Sequence, residues 1–329
     1  MRPLTKTLFA AIFVVYVGLA CNHQPTSPDK AKGWSGYTDS PYIVPDGTAI
    51  YFLHSVASTY DMLTANPNAK PVAEYFPGHQ GQGGAYWWNT DIYVSFKNSD
   101  GTWGQPQNLG PSINSEHMES SPWTNAEQTE LIFIRASVTD PALSGAFISR
   151  RNNTNESWGI PERLPGELGS YGTSGFTDFH MAPSGNLYFW NESNGALYWA
   201  KALANNQWAP AELLPAPFQS ELEETQPWVN DSETVIYFNR RGDDGNTQLL
   251  WANRENASAE WGTPIPVHLT EFADANNNTV WGEPSFTYDE EMFFVRFDTS
   301  DPDWQADLFV AIQQSDGSFG PPQKLIFSY

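Results

Sequence analysis

The chain has one cysteine, Cys21, in 329 residues. No internal disulfide can form, so packing alone must hold the fold. Basic residues are scarce as well. Sixteen Lys and Arg stand against 38 Asp and Glu, a formal net charge of −22 at pH 7. That balance excludes nucleic acid as a partner class, because a phosphate backbone needs clustered cations. Catalytic signatures are missing too: there is no Gly-x-Ser-x-Gly elbow, no His-Glu-x-x-His and no cysteine nucleophile. His54, His79, His117, His180 and His268 are scattered singly, which speaks against zinc and leaves no metal site assigned. The glycine-rich "GHQGQGG" (78–84) lies among strand-like segments, without the helix that a phosphate-cradling loop precedes. After the first 20 residues no long amphipathic helical pattern is present.

Aromatic residues, in contrast, make up 15% of the chain and include 14 Trp. A sizeable core is therefore available, and the acidic composition reads as a solvated surface rather than a disordered tail. The N-terminus, "MRPLTKTLFAAIFVVYVGLAC", places Arg2 and Lys6 before an apolar run from Leu8 to Ala20. This is the pattern of an export signal, too short and wrongly flanked for a membrane span. Its end, Gly18-Leu19-Ala20-Cys21, resembles the bacterial lipobox, departing from it at Gly18, where leucine is more usual. The resemblance implies a lipoprotein signal peptide over 1–20, lipidation of Cys21 and a membrane anchor in the bacterial cell envelope, periplasmic or at the outer membrane. An ordinary signal peptide with an incidental cysteine is the alternative. The polar, proline-containing stretch 21–37 reads as a tether. The domain itself spans 38–329. The sequons at Asn191 and Asn256 carry no assigned function.

Three phrases recur in one order, five times. The first is "SPYIVPDGTAIYF", "SPWTNAEQTELIF", "DFHMAPSGNLYF", "QPWVNDSETVIYF" and "EPSFTYDEEMFF". The second is "TDIYVS", "GAFISR", "GALYWA", "TQLLWA" and "ADLFVA". The third, Trp-Gly-x-Pro or a near copy, is anchored at Trp103, Trp158, Trp208, Trp261 and Phe319, 50 to 58 residues apart. All three phrases are short, rich in β-branched and aromatic residues, and bounded by Gly, Asp, Asn and Pro. The first splits at its turn into strands A and B; the others supply strands C and D. Four-stranded units repeated at this period predict an all-β, five-bladed β-propeller of four-stranded antiparallel blades. A sixth, degenerate blade has room only near Trp34 or within 56–86.

The segments "SPYIVPDGTAIYF" and "TDIYVSFKNSDGTWGQPQNLGPSINSEHMESSPW" resemble the WD40-like PD40 repeats of TolB-type periplasmic propellers, across essentially the whole of 38–329. The Pro-Asp-Gly signature is intact only at Pro45, Asp46 and Gly47. The resemblance implies a propeller fold and a monomeric binding or scaffolding protein, with an envelope protein or a saccharide as partner. A propeller by itself names no activity.

The long connections, 56–90, 166–177, 270–282 and 298–306, fall on one face by strand alternation, and binding resides most often on such loops. Two sets of residues point to that face. Asp39, Glu119, Asp178, Glu224 and Glu283 occur near the start of each strand A, in approximate register. His54, Arg135, Asn191, Arg240 and Arg296 each lie two residues after a strand B phenylalanine, in strict register. The sets either satisfy one another as structural pairs or form a mixed-charge pocket for a hydroxyl-rich or carboxylate-bearing ligand. Tyr86, Trp87, Trp88, Trp281 and Trp304 either stack on a sugar or pack between blades. Asp298, Asp301, Asp303 and Asp307 offer oxygens to calcium, without EF-hand spacing. No cofactor is otherwise implied.

Carboxylates at the starts of inner strands also resemble the five-bladed glycosidase clan of arabinanases and β-xylosidases. "TDSPYIVPDG" and "WGEPSF" are similar to two of that clan's motif neighbourhoods. This resemblance implies Asp39 as base, Asp178 as pKa modulator and Glu283 as acid, with Arg296 or His54 on the sugar. Binding at the long-loop face and glycoside hydrolysis there are thus two competing expectations.

Overall fold

Each recurring phrase forms the strands its alternation predicts. The computed structural model describes residues 37–55, 90–137, 140–170, 175–242, 247–270, 279–298 and 306–328. The signal segment, Cys21, nearly all of the tether, His79, the aromatics at 86–88 (Trp88 among them), Asp301, Asp303 and Trp304 lie outside the described residues. Five four-stranded sheets are present among them. Blade 1 comprises β1 (Tyr37–Ile43), β2 (Ala49–Ser55), β3 (Asp91–Phe96) and β4 (Gln107–Asn108). Blade 2 comprises β5 (Met118–Thr124), β6 (Glu130–Ala136), β7 (Gly145–Arg150) and β8 (Glu162–Arg163). Blade 3 comprises β9 (Phe176–Met181), β10 (Leu187–Asn191), β11 (Ala196–Ala200) and β12 (Glu212–Leu213). Blade 4 comprises β13 (Glu223–Val229), β14 (Val235–Arg241), β15 (Thr247–Asn253) and β16 (Ile265–Pro266). Blade 5 comprises β17 (Thr279–Phe286), β18 (Glu291–Asp298), β19 (Ala306–Ile312) and β20 (Gln323–Lys324). Within each blade the strands follow chain order and pair antiparallel.

The outermost strands are shorter than the Trp-Gly phrase suggests. Each pairs over two residues only, and Trp103 meets the ladder through an isolated bridge to Lys97. Pro106 stands just before β4, where the missing N–H is tolerated at an edge. The tryptophans of the phrase serve packing instead. Trp103 lies edge-on to Phe293 of blade 5, centroids 6.0 Å apart, and Trp261 edge-on to Phe218 at 5.6 Å. The guanidinium of Arg151 covers Trp158 at 4.1 Å and that of Arg254 covers Trp261 at 4.0 Å. The buried clusters combine residues of neighbouring blades, so the core is a set of seams around the axis.

The ring closes between blades 5 and 1. Phe327 packs on Phe52 at 5.1 Å, and Ser328 N–H donates to the Trp103 carbonyl at 2.9 Å. On the axis side, Ile43 N–H donates to Ser285 Oγ at 3.1 Å, and that hydroxyl donates to the Pro41 carbonyl at 3.0 Å. These bonds join two inner strands that are more than 240 residues apart in sequence.

Candidate functional site on the propeller axis

Every inner strand is interrupted at the same place. The registers of β1, β5, β9, β13 and β17 slip between Asp39 and Tyr42, Ser120 and Trp123, Thr177 and His180, Thr225 and Trp228, and Gly282 and Ser285. One residue in each gap takes a left-handed conformation: Ser40, Ser121, Asp178, Gln226 and Glu283, with φ between 49° and 54°. None is glycine, so each costs on the order of 1 kcal/mol. Four are followed by proline, at Pro41, Pro122, Pro227 and Pro284, which needs no ladder donor where the ladder is already broken. Backbone strain of this kind clusters at functional sites, and here five strained residues face one axis.

These five residues line a cavity of about 60 Å³ together with the four prolines, Phe179, Ser285, Tyr42, His180 and Trp228. That volume admits a few water-sized groups. The rings of Tyr42 and His180 are 6.2 Å apart, and those of His180 and Trp228 are 5.5 Å apart, two residues further along the inner strands. Burial lowers the His180 imidazole to about 3, so it is neutral, and it hydrogen-bonds the backbone of Val229.

The cavity carboxyls have different surroundings. Asp178 accepts the Ser121 hydroxyl on Oδ1 and the Trp190 indole N–H on Oδ2 at 2.5 Å. Burial raises its pKa, and those two donors oppose the rise. Glu283 accepts from Gln226 Nε2 at 2.6 Å, and Gln226 Oε1 accepts from Asn239 Nδ2 at 2.5 Å. Burial pushes Glu283 well up, and the charges of Asp39 and Asp178 push it further. Asp39 lies behind Ser40 and is not among the lining residues. Its Oδ1 accepts Ser40 N–H at 2.8 Å and its Oδ2 accepts the Tyr37 hydroxyl. Burial lifts Asp39 to about 7 against both donors. Among the described residues no Lys or Arg lines the cavity.

The sequence-based candidates therefore divide. Asp39, Asp178 and Glu283, from blades 1, 3 and 5, come together at the axis. Glu119 and Glu224 do not line the cavity. They sit two residues before the left-handed position and pair across the blade with Arg135 and Arg240. Glu119 Oε1 is 2.7 Å from Arg135 Nε and also accepts from Ser115; Glu224 Oε1 is 2.5 Å from an Arg240 terminal nitrogen. The remaining members of the strict set occupy the equivalent place. His54 faces Thr38, its Nδ1 3.0 Å from Oγ1; Asn191 faces Phe176; Arg296 faces Trp281. Asp307 is paired with Lys324 at 2.6 Å. Ser40, Ser121, Gln226, Tyr42, His180 and Trp228 were not singled out from the sequence. The signal for the ring was the first letter of each recurring phrase: Ser, Ser, Asp, Gln and Glu.

No protein-family model matches the chain, and no curated protein matches it in sequence. Solved structures share its fold. The α-L-arabinofuranosidase PaAbf62A of Podospora anserina, in complex with cellotriose, aligns with a TM-score of 0.52 at 13% identity, over 88% of this chain and 94% of that one. The Bacteroides ovatus protein Xyloglucan PUL GH43B aligns with a TM-score of 0.53 at 12% identity, over 89% of this chain and 56% of that one. TolB from Acinetobacter baumannii gives a TM-score of 0.46 at 13% identity, over 88% and 54%. At these identities the likeness is one of fold.

Proposed function

We propose that the axial cavity is a glycosidase-type site. Glu283 holds the proton donated to a glycosidic oxygen, Asp178 is the ionised carboxylate facing the reacting group, and Asp39 keeps Glu283 protonated through its charge. One observation carries this reading: three buried carboxyls meet at the axis, and among the described residues no cation lines the cavity. Three such groups cannot all ionise in a poorly solvated space, so they must share protons. Glycoside cleavage needs two carboxyls in opposite protonation states. Asp178, whose rise through burial is opposed by its donors, is the better anion. Glu283, pushed up by burial and by both neighbours, is the better acid.

This reading exchanges the roles that the family resemblance implied for Asp39 and Asp178, because Asp178 lines the cavity and Asp39 does not. The small cavity takes only the reacting linkage and a water. The rest of the saccharide would lie outward, toward the face where β1 begins and β2 ends. The arabinofuranosidase among the fold neighbours supports the substrate class by analogy alone. An exported domain tethered through Cys21 would place this chemistry at the cell envelope.

One observation favours the competing reading, a binding protein without turnover. The left-handed position of blade 1 holds Ser40, so the axis presents a carboxyl from only two blades directly. Such a ring of hydroxyl, amide and carboxyl groups suits polyol hydroxyls. A panel of plant and algal oligosaccharides separates the two, using the wild type, Asp178→Asn and Glu283→Gln. The hydrolase reading expects product from at least one oligosaccharide. It expects a loss of about 100-fold or more in either variant, with binding retained. Binding without product from any oligosaccharide would leave the binding reading standing.

A further inference from the structure

Proline follows the left-handed residue in four blades; in blade 3 the next residue is Phe179, so this blade alone keeps a backbone N–H at that position. The direction of the N–H follows from the ladder. Ala182 N–H donates to the Asn186 carbonyl at 2.9 Å, and Met181 and His180 stand opposite Leu187 and Tyr188 in unbroken register. In an antiparallel pair, successive residues turn their N–H and C=O alternately toward the neighbouring strand and away from it. Ala182 and His180 thus face β10. Met181 and Phe179 face the inner edge, beyond which the sheet has no strand. Blade 1 shows the same alternation. Val44 N–H bonds the Ala49 carbonyl of its own blade, whereas the Ile43 N–H and the Pro41 carbonyl both bond Ser285 of blade 5.

Phe179 occupies the place of Pro41 and lines the axial cavity. Its side chain is buried against Phe189, ring centroids 4.8 Å apart, which leaves the backbone to face the cavity. Four blades form the same bulge without this donor, so the fold does not require it. The one blade that retains it is the blade that carries Asp178.

We propose that the Phe179 N–H is a binding group for the axial ligand: it donates to a saccharide hydroxyl, and that hydroxyl donates to the Asp178 carboxylate. A hydroxyl both accepts and donates, so a donor and an acceptor on consecutive residues read one such group. The Asp178 oxygens accept from Ser121 and Trp190, and each keeps a lone pair for a further donor. A peptide N–H only donates, so the sense of the contact is fixed. The inference rests on the saccharide reading of the cavity, in either its hydrolase or its binding form.

Phe179→Pro deletes the donor and Phe179→Ala keeps it, while both remove the same ring. Proline at 179 would follow a residue with φ 49°, close to the 51–54° of the residues before the four existing prolines. The two variants are expected to unfold within about 0.5 M urea of each other. Affinity for whichever oligosaccharide of the panel binds the wild type is expected to be about tenfold weaker in Phe179→Pro than in Phe179→Ala. Equal affinities overturn the proposal. So does a proline variant that unfolds well before the alanine variant, because the ladder would then be using the N–H.

A second measurement needs no variant. Asp178-Phe179 is the sole Asp-Phe pair in the sequence, so labelling aspartate carbonyl carbon and phenylalanine nitrogen isolates its amide signal by NMR on the full chain. That signal is expected to shift saturably with at least one oligosaccharide of the panel, xylotriose and cellotriose included. No shift with any of them overturns the proposal, and product formation without a shift does so while leaving the hydrolase reading in place. A saturable shift without product keeps the donor and assigns it to a binding site.

Discussion

Ser121 of the second blade donates its hydroxyl to Oδ1 of Asp178 in the third. The bond crosses a blade seam and joins two left-handed positions of the axial ring. It favours the ionised form of Asp178, whose pKa burial raises. In Ser121→Ala the Asp178 pKa therefore rises further. The acid limb of the activity profile, or of ligand affinity, is expected to move up by about 0.5 to 1 pH unit. An unmoved limb would remove Asp178 from the ionisation that governs the site.

Stability is expected to fall as pH rises through the weakly acidic range. Asp39 is lifted to about 7, and Asp178, Glu283, Glu119 and Glu224 are also raised, with burial the leading cause in each. Over the range from about pH 4 upward, the unfolded chain has lost protons that the folded chain still holds. The folded state is then favoured below the unfolded pKa of about 4, and that advantage is lost as pH climbs through the folded value. The slope is about 1.4 kcal/mol per pH unit for each proton retained. Thermal unfolding should give a higher Tm at pH 5 than at pH 7.5, and Asp39→Asn should flatten the difference. The net charge of −22 at pH 7 acts in the same direction through self-repulsion.

Arg135 and Glu119 form a buried pair off the axis. Arg135→Met leaves the Glu119 carboxyl without its cation and is expected to cost about 3 kcal/mol in urea unfolding. Ligand affinity or turnover per folded molecule should stay within about twofold, an estimate resting on the independence of sites without shared partners. A larger functional loss in a fully folded variant would return this pair to the binding site.

Phe327 closes the seam between the last blade and the first, buried against Phe52. Phe327→Ala is expected to cost about 3–5 kcal/mol. Chemical denaturation with a tryptophan fluorescence readout checks this. A loss below about 1 kcal/mol, typical of a surface site, would mean that the seam closes without it.

The same residues illustrate what could and could not be read in one dimension. The strands of every blade were legible, because period-2 alternation and turn residues are local properties. The convergence of Asp39, Asp178 and Glu283 was legible as a consequence of the repeat. Strict register left two readings open. His54, Arg135, Asn191, Arg240 and Arg296 are more regular in spacing than the axial ring, yet they face strand A neighbours within their own blades. Regular spacing reports equivalence between blades, and a structural pair recurs as faithfully as a site does. Glu119 and Glu224 resembled ring members because they lie two residues from the left-handed position, a difference that only the bulge makes consequential.

The sequence by itself determined a five-fold repeat of four strands, hence a propeller, and which phrases form its inner and outer edges. Those facts follow from alternation, turn chemistry and period. Only the tertiary structure decided which residue of each inner strand meets the axis. A one-residue bulge reverses the face a side chain presents, and its position depends on hydrogen bonds between strands rather than on any local preference. The contacts that orient the carboxyls, Ser121 on Asp178 and Asn239 through Gln226 on Glu283, join residues far apart in the chain, and closure of the ring brings them together.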